Sequence, residues 1–502
     1  MHMKQPFILL GGAALSASFL LAFGGWTAAA AIFVLAAIIV FCLLPKDKRL
    51  RPQFVIILVI LLILCLRFVT LDLYISHKSD KLRSLETDIV GIVTDVKISG
   101  DVSRFTINIE DSAEKEAAGI TAAGYMFGAV EFSPGDRISG NALFQKQDDR
   151  YKAINFDKGE YFYLKLKDYY ISKKGADPLY TFAENMREGI LSAVNSLGPD
   201  EESKLLCAVI IGEKHSDAAE LYNISKTAGV SHMLVVSGLH LGIMCGILMR
   251  LLKGRTNRRL TVFIMISFVL FVALVCFFHI SILRAGITYI IMLIGMTLLR
   301  NRDPVNSLGA AVTILVFFFP YIFYNVAFML SVSATFAVIG PAGRLIDALR
   351  FAGKKDGLLK RGAEYVFEVI IIAVCALILT LPITVYYFGS VSLIAPLSNL
   401  LLSFSVTGML AFGLLGVALW FLPLVGKPLC LPFIFVAKLF ASYFLFAVKA
   451  IVGLGVGFVE MSPSKSFLCG IFTVLFIISV YTFCHILNLK KEKKSLVKRE
   501  IT

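Results

Sequence analysis

FVIILVILLILCLRFVTL, residues 54–71, sets the fold class. One charge, Arg67, interrupts a run that reaches the roughly 18 to 20 residues needed to cross about 30 Å of hydrocarbon. Residues 466–487 form a second such run. Both read as helices, because backbone N–H and C=O groups in lipid must be satisfied within the segment. The composition agrees: 57% of the 502 residues are hydrophobic, and mean hydropathy is +0.79. Ordinary soluble domains do not reach such values without long apolar runs. Residues 7–23 have the length of a leader peptide, but the apolar 26–44 follow at once, so a retained hairpin is expected.

Lys and Arg mark the cytoplasmic side of short loops. Clusters occur at Lys46, Lys48, Arg49 and Arg51; at Lys253, Arg255, Arg258 and Arg259; at Arg300 and Arg302; from Arg344 to Arg361; and from Lys490 to Arg499. The intervening loops near Gly24, His279, Pro320 and Gly389 carry no Lys or Arg. This alternation predicts spans near 7–23, 26–44 and 53–75. It predicts nine more near 232–252, 260–278, 281–299, 305–322, 324–340, 367–388, 396–421, 428–455 and 465–487. The expected protein is a polytopic α-helical membrane protein of about twelve transmembrane helices, in the bacterial plasma (inner) membrane. Both termini are cytoplasmic and residues 76–200 extracytoplasmic. The net charge of +14 and pI of about 9.3 then mostly express this positive-inside pattern. Residues 78–220 hold more acids than bases, so the basic total does not mark a nucleic-acid surface. Of nine cysteines, all but Cys207 lie in apolar segments, and no disulfide framework is expected.

Residues 86–175 change period. Apolar and polar residues alternate over 88–93 and 104–109, and further β-rich runs occupy 125–132, 137–144 and 161–171. Ser133-Pro134-Gly135-Asp136 is a tight-turn signal. About five short strands within 76–177 predict an inserted all-β, OB-like (oligonucleotide/oligosaccharide-binding) domain. Tyr125, Phe127, Phe132, Phe144, Tyr151, Phe156, Tyr161, Phe162 and Tyr163 are candidates for stacking on bases; filling a barrel core is the commoner use. Residues 178–230 have a helical pattern and are expected to be interfacial helices, leading into a bundle over 231–488 and a basic tail over 489–502.

The polar constellation lies in GVSHMLVVSGLHLG, residues 229–242. On a continuous helix, His232, Val236 and His240 share one face, and Ser237 neighbours His240. Gly238 and Gly242 permit close backbone approach or a broken helix. Polar groups in such a segment serve as glue between helices or line an interior pathway.

This stretch resembles the signature of the ComEC-type competence family. ESKLLCAVIIGEK (202–214), SILRAGITYIIM (281–292), FMLSVSATFAVIG (328–340) and LPITVYYFGSVSLIAPLSNLL (381–401) are similar to further family elements, in family order. The resemblance implies an inner-membrane channel carrying single-stranded DNA into the cytoplasm during natural transformation. It points to His232, Ser237, Gly238, Leu239, His240, Gly242, Arg284 and Asn399 as motif residues. Lys438 and Lys449, eleven apart on one helical face, are candidate cations along a phosphate path. Many family members continue into a metallo-β-lactamase-like domain. No His-x-His-x-Asp cluster occurs in this sequence, so a form without that domain is expected, with no metal, no cofactor and no catalytic residue.

The sequence also lacks a Gly-x4-Gly-Lys-Ser/Thr phosphate loop. A DNA receptor, a cytoplasmic motor or single-strand-binding protein, and a separate nuclease are the implied partners, with a homodimer as a further option. Two rival classes stand beside the channel. One is an intramembrane hydrolase or transferase using Ser237 and His240; no carboxylate in the segment would orient that pair. The other is a small-solute transporter, which internal symmetry would favour.

Overall fold

The computed structural model describes residues 51–99, 102–128, 130–145, 152, 155–156, 159–212, 219–234, 236–278, 280–297, 304–349, 358–423, 426–454 and 457–501. In chain order the elements are α1 (Arg51–Leu82), β1 (Glu86–Ser99), β2 (Val102–Ser112), β3 (Ile120–Phe127), β4 (Arg137–Gln145), β5 (Phe162–Leu166) and β6 (Tyr170–Lys173). Then follow α2 (Pro178–Val194), α3 (Glu201–Ile211), α4 (Ala219–Thr227), α5 (Gly238–Leu252), α6 (Arg258–Val275), α7 (Ile280–Thr297) and α8 (Pro304–Phe318). The remainder are α9 (Val326–Ala337), α10 (Gly343–Leu349), α11 (Leu358–Phe388), β7 (Ser390–Ser392), α12 (Ala395–Trp420), α13 (Gly426–Gly453), β8 (Phe458–Glu460) and α14 (Ser466–Ile501).

Among the described residues, 7 helices are long and apolar enough to cross a membrane: Val59–Leu82, Arg258–Val275, Val326–Leu349, Gly362–Phe388, Ala395–Trp420, Gly426–Gly453 and Pro463–Leu487. Each falls on an expected span. Three shorter apolar helices, Gly238–Leu252, Ile282–Ile294 and Pro304–Phe318, fall on three more. The expected spans 7–23 and 26–44, and Tyr151, lie outside the described residues.

The chain divides into two compact units. The first holds the chain to Gly189 together with Asn257–Phe328. Its strands close a five-stranded barrel in the order β1-β2-β3-β5-β4, with β4 returning to β1 and β6 added to the edge of β4. All pairings are antiparallel except β3 with β5. β1 serves two neighbours because it is long and bent, with bulges at Val90/Gly91 and Val93/Asp95. At the first bulge a Cβ on Gly91 would lie 2.4 Å from the Asn108 carbonyl oxygen. The alternation seen in the sequence points Ile89, Val93, Phe105, Ile107, Ile109, Ile138, Phe144 and Leu164 into a closed core.

Two details differ from expectation, and the candidate rings divide between the two uses weighed for them. The third strand begins at Ile120 and ends at Phe127, not at residues 125 and 132. The run 161–171 divides into two strands. Of the candidate stacking rings, Phe132, Phe144, Phe156 and Phe162 are buried. Phe105 is 1% exposed and meets Phe132 edge-on at 5.2 Å. Phe105→Ala is therefore expected to cost about 3–5 kcal/mol. Thermal unfolding of the intact chain, followed by protease cutting in the barrel, measures it; a loss below about 1 kcal/mol would contradict this packing.

Outside the barrel, α1 lays Cys65, Phe68, Leu71 and Ile75 against Ala123, Phe156 and Tyr321. These positions recur every three or four residues, one face of a helix. The Tyr321 hydroxyl donates to Asp72 at 2.6 Å, which satisfies an acid within an apolar helix.

The second unit holds Ile190–Thr256 and the chain from Met329 onward. Its centre is the α12–α13 pair. Gly408 lets the Phe440 ring lie against the α12 backbone, and Gly413 receives Ile210 of α3. The 11-residue α3, expected at an interface, packs on α12 and α13. Ser203, Leu205, Leu206, Cys207, Val209, Ile210 and Ile211 are buried along it. A π-turn over Val338–Ala342, at Pro341, joins α9 to α10.

Candidate functional site

The signature segment does not form one helix. Gly229, at φ +76, ends the α4 region in a left-handed turn. Ser231–Met233 is a single 3₁₀ turn, and α5 starts only at Gly238. Val230, Met233 and Val236 are nearly inaccessible. The expected common face of His232, Val236 and His240 is thereby corrected: His232 is exposed on the 3₁₀ turn, while His240 is 0% exposed on α5. Irregular backbone among apolar helices is tolerated where protein covers it or where it borders a wet cavity.

Ser237 is the N-cap of α5. Its backbone N–H donates to His240 Nδ1 at 3.3 Å, and its Oγ lies 2.9 Å from the same nitrogen. Because Nδ1 accepts, the neutral ring carries its proton on Nε2. That atom is buried and has no hydrogen-bond partner among the described residues; the Met233 carbonyl acts on the ring without bonding geometry. The first intrahelical bond runs from Leu241 N to Ser237 O. The N–H groups of Gly238 and Leu239 precede it, at the positive end of the helix dipole. Leu239 is 48% exposed, and the space a Cβ on Gly242 would enter is open.

Further orphan atoms lie on neighbouring elements of this unit. Ser225 Oγ (α4), Ser392 Oγ (β7) and Asn399 Oδ1 (α12) are buried without hydrogen-bond partners among the described residues. A Cβ on Gly229 would lie 2.5 Å from Ala395 Cβ and 3.0 Å from Ser392 Oγ, so the α4 end sits on the β7–α12 junction. Ser225 precedes Gly229 by one turn, and Asn399 follows Ala395 by one turn. The α4 end, β7 and the start of α12 thus meet at Gly229, and Ser225, Ser392 and Asn399 lie on these segments.

Lys438 and Lys449 lie on one face of α13, as the spacing implies, but both meet acids at the start of α3. Lys438 Nζ donates to Gly198 O at 2.8 Å and to Asp200 Oδ1 and Oδ2 at 2.9 and 2.8 Å. Lys449 Nζ lies 3.6 Å from Glu201 at the surface, and between them Ser442 donates to Glu202 at 2.8 Å. Asp200 also caps α3 by accepting from Ser203 N at 2.9 Å. Burial opposes its ionisation, but Lys438 and Ser203 outweigh that and hold its carboxyl below the usual value. Sequence reading passed over Asp200, Glu201 and Glu202. Pro199-Asp200-Glu201-Glu202 is nonetheless a helix-start signal, and it stands just before a helix that packs on the lysine-bearing one.

Arg284 lies in the other unit, on α7. It is 3% exposed and its Nε has no partner among the described residues. No three His, Cys, Asp or Glu side chains converge on a metal position among the described residues.

Comparison with known proteins bears on this site directly. A family profile described as "Competence protein" matches residues 209–484, which include α5 and most of the helices around it. ComE operon protein 3 of Bacillus subtilis (strain 168) is 26% identical over 432 residues, covering 83% of this chain and 52% of the relative. The chain thus spans about half the length of the curated relative it matches. No solved structure matches. The profile covers more than half of the residues and takes in the whole signature segment, so this chain belongs to the competence protein family.

Proposed function

We propose that this protein takes up DNA for competence, as an inner-membrane channel that passes one strand to the cytoplasm during natural transformation. Four buried polar atoms without partners among the described residues carry the reading: Ser225 Oγ, His240 Nε2, Ser392 Oγ and Asn399 Oδ1. The large majority of buried polar side-chain groups are hydrogen-bonded. A dry bundle would leave all four uncompensated, whereas water or a phosphate oxygen would satisfy them. Membership of the competence family supports DNA as the cargo.

On this reading the signature loop and the N-terminus of α5 offer neutral donors to the phosphate backbone. His232 stands at the exposed side of the loop and Gly242 keeps the lumen side of α5 open. Lys438 and Lys449, already paired, hold α3 in place and contribute little to the path. The chain crosses the membrane about twelve times, with residues 76–200 outside and both ends in the cytoplasm. The barrel receives DNA. Tyr125 and Tyr163 stack at 5.1 Å, and Lys165 sits 5.2 Å over the exposed ring of Phe127, which together suit unpaired bases. A DNA receptor, a cytoplasmic motor or single-strand-binding protein, and a nuclease act with it.

Ser237 Oγ at 2.9 Å from His240 Nδ1 also fits a nucleophile and base, and one comparison separates the two readings. A channel keeps Ser237→Ala within about tenfold in transformation frequency, the scale of one hydrogen bond. Gly238→Leu, which crowds the helix entry, falls further. A hydrolase loses about 10⁴-fold or more with Ser237→Ala. Unchanged DNA import after deletion of the gene, in a host with no second copy, would end the uptake reading.

A further inference from the structure

Arg284 is the one charged side chain of α7 within the described residues, and it lies four residues after the start of that helix. It is 3% exposed, and its Nε finds no acceptor. α6 and α8 pack against α7, and none of the three helices contains an Asp or Glu. Asp72 of α1 is taken by the Tyr321 hydroxyl. A guanidinium cannot shed its proton to escape burial. It therefore needs an anion that these helices do not supply, and its planar fork fits a phosphate or carboxylate.

Depth selects the source. Four residues at 1.5 Å each put the Arg284 Cα about 6 Å inside the helix end, and a helical side chain leans toward the N-terminus, so a guanidinium here can extend to headgroup phosphates. The α6–α7 turn carries the marks of a membrane interface. Arg187 donates from Nη1 to Val275 O at 2.9 Å and lies 4.9 Å over the Phe277 ring. Tyr180 stacks on the same ring at 6.3 Å. Cations and aromatic rings gather at headgroup depth. Arg284 lies in the unit that does not hold the signature segment, and a resident lipid needs only a local displacement of the helix end. We propose that Arg284 binds the phosphodiester of one anionic membrane lipid at the α6–α7 end of this helix group.

The test uses the full-length protein in detergent, titrated with phosphatidylglycerol and phosphatidylethanolamine and read by native mass spectrometry. One phosphatidylglycerol should be retained in preference to phosphatidylethanolamine. Arg284→Lys, which keeps the charge but loses the fork, should bind it about tenfold more weakly. Arg284→Gln should show no preference. Lys115→Gln, on the exposed barrel surface, should bind as the parent does. Equal phosphatidylglycerol affinity in the parent and Arg284→Lys overturns the proposal, even if Arg284→Gln fails to fold. So does Arg284-dependent binding of a (dT)20 oligonucleotide with no preference for phosphatidylglycerol, which would give the site to nucleic acid.

Discussion

Gly229→Val is expected to remove nearly all folded protein from the membrane, and transformation with it. Gly229 sits at φ +76, a region where an L residue costs roughly 1–2 kcal/mol and a β-branched one more. The new Cβ would also lie 2.5 Å from Ala395 Cβ and 2.9 Å from Ser392 Cβ. Both atoms belong to the short β7–α12 junction, which cannot yield without moving a spanning helix. Overpacking of that kind adds about 1–3 kcal/mol. The sum is a large part of a domain's usual 5–15 kcal/mol. Quantifying membrane-inserted protein by immunoblot, beside transformation frequency, measures it. Gly242→Ala is the contrasting case. Its Cβ enters open space, and alanine favours the helix by up to about 1 kcal/mol. Protein level should hold; a fall in transformation at constant level would show that this open side is in use. Normal levels of Gly229→Val would refute the junction as described.

These two glycines also show where sequence reading stopped. Periodicity alone starts a helix near 232, because it counts spacing and cannot register a left-handed turn at Gly229 or a helix start delayed to Gly238. The barrel was more legible. Alternation of buried and exposed residues is a local property of a strand, so the runs 88–93, 104–109 and 137–144 fall on β1, β2 and β4. The division of 161–171 was not legible. It depends on Lys167–Tyr169 leaving the sheet so that Asp168 can accept from Asn141 N at 2.9 Å, against a backbone that only Gly140 leaves room for. The histidine–serine pairing was legible because i and i+3 are neighbours across a helix start. The orphan oxygens of Ser225 and Ser392 were not, since a lone serine in an apolar run usually bonds its own helix backbone.

Lys438 is the sharpest case, and it carries the second large effect. Helical spacing placed it with Lys449 on one face, but its acid partner lies 238 residues away in sequence. Lys438 stands 12 residues after the start of α13 and 15 before its end, about 18 and 22 Å by helical rise. It is therefore a mid-helix charge, 8% exposed, with an acid whose side chain is 46% exposed. That asymmetry sets the order of the variants. Asp200→Ala leaves a buried ammonium with only the Gly198 carbonyl and removes the α3 cap; about 4 kcal/mol is expected. Lys438→Met removes the buried charge itself and leaves a carboxylate whose side chain is 46% exposed and still accepts from Ser203 N, so a smaller loss, about 1 kcal/mol, is expected. The double variant should recover most of the Asp200→Ala loss, because no unpaired charge remains in the bundle. Thermal unfolding in detergent across the cycle measures the coupling. Transformation frequency then separates two roles. If the pair only anchors α3, function follows stability, and Lys438→Met transforms nearly as well as the parent. A Lys438→Met protein that stays folded yet loses transformation by tenfold or more would instead place this ammonium on the strand's path, with Asp200 as the counter-ion it exchanges for phosphate.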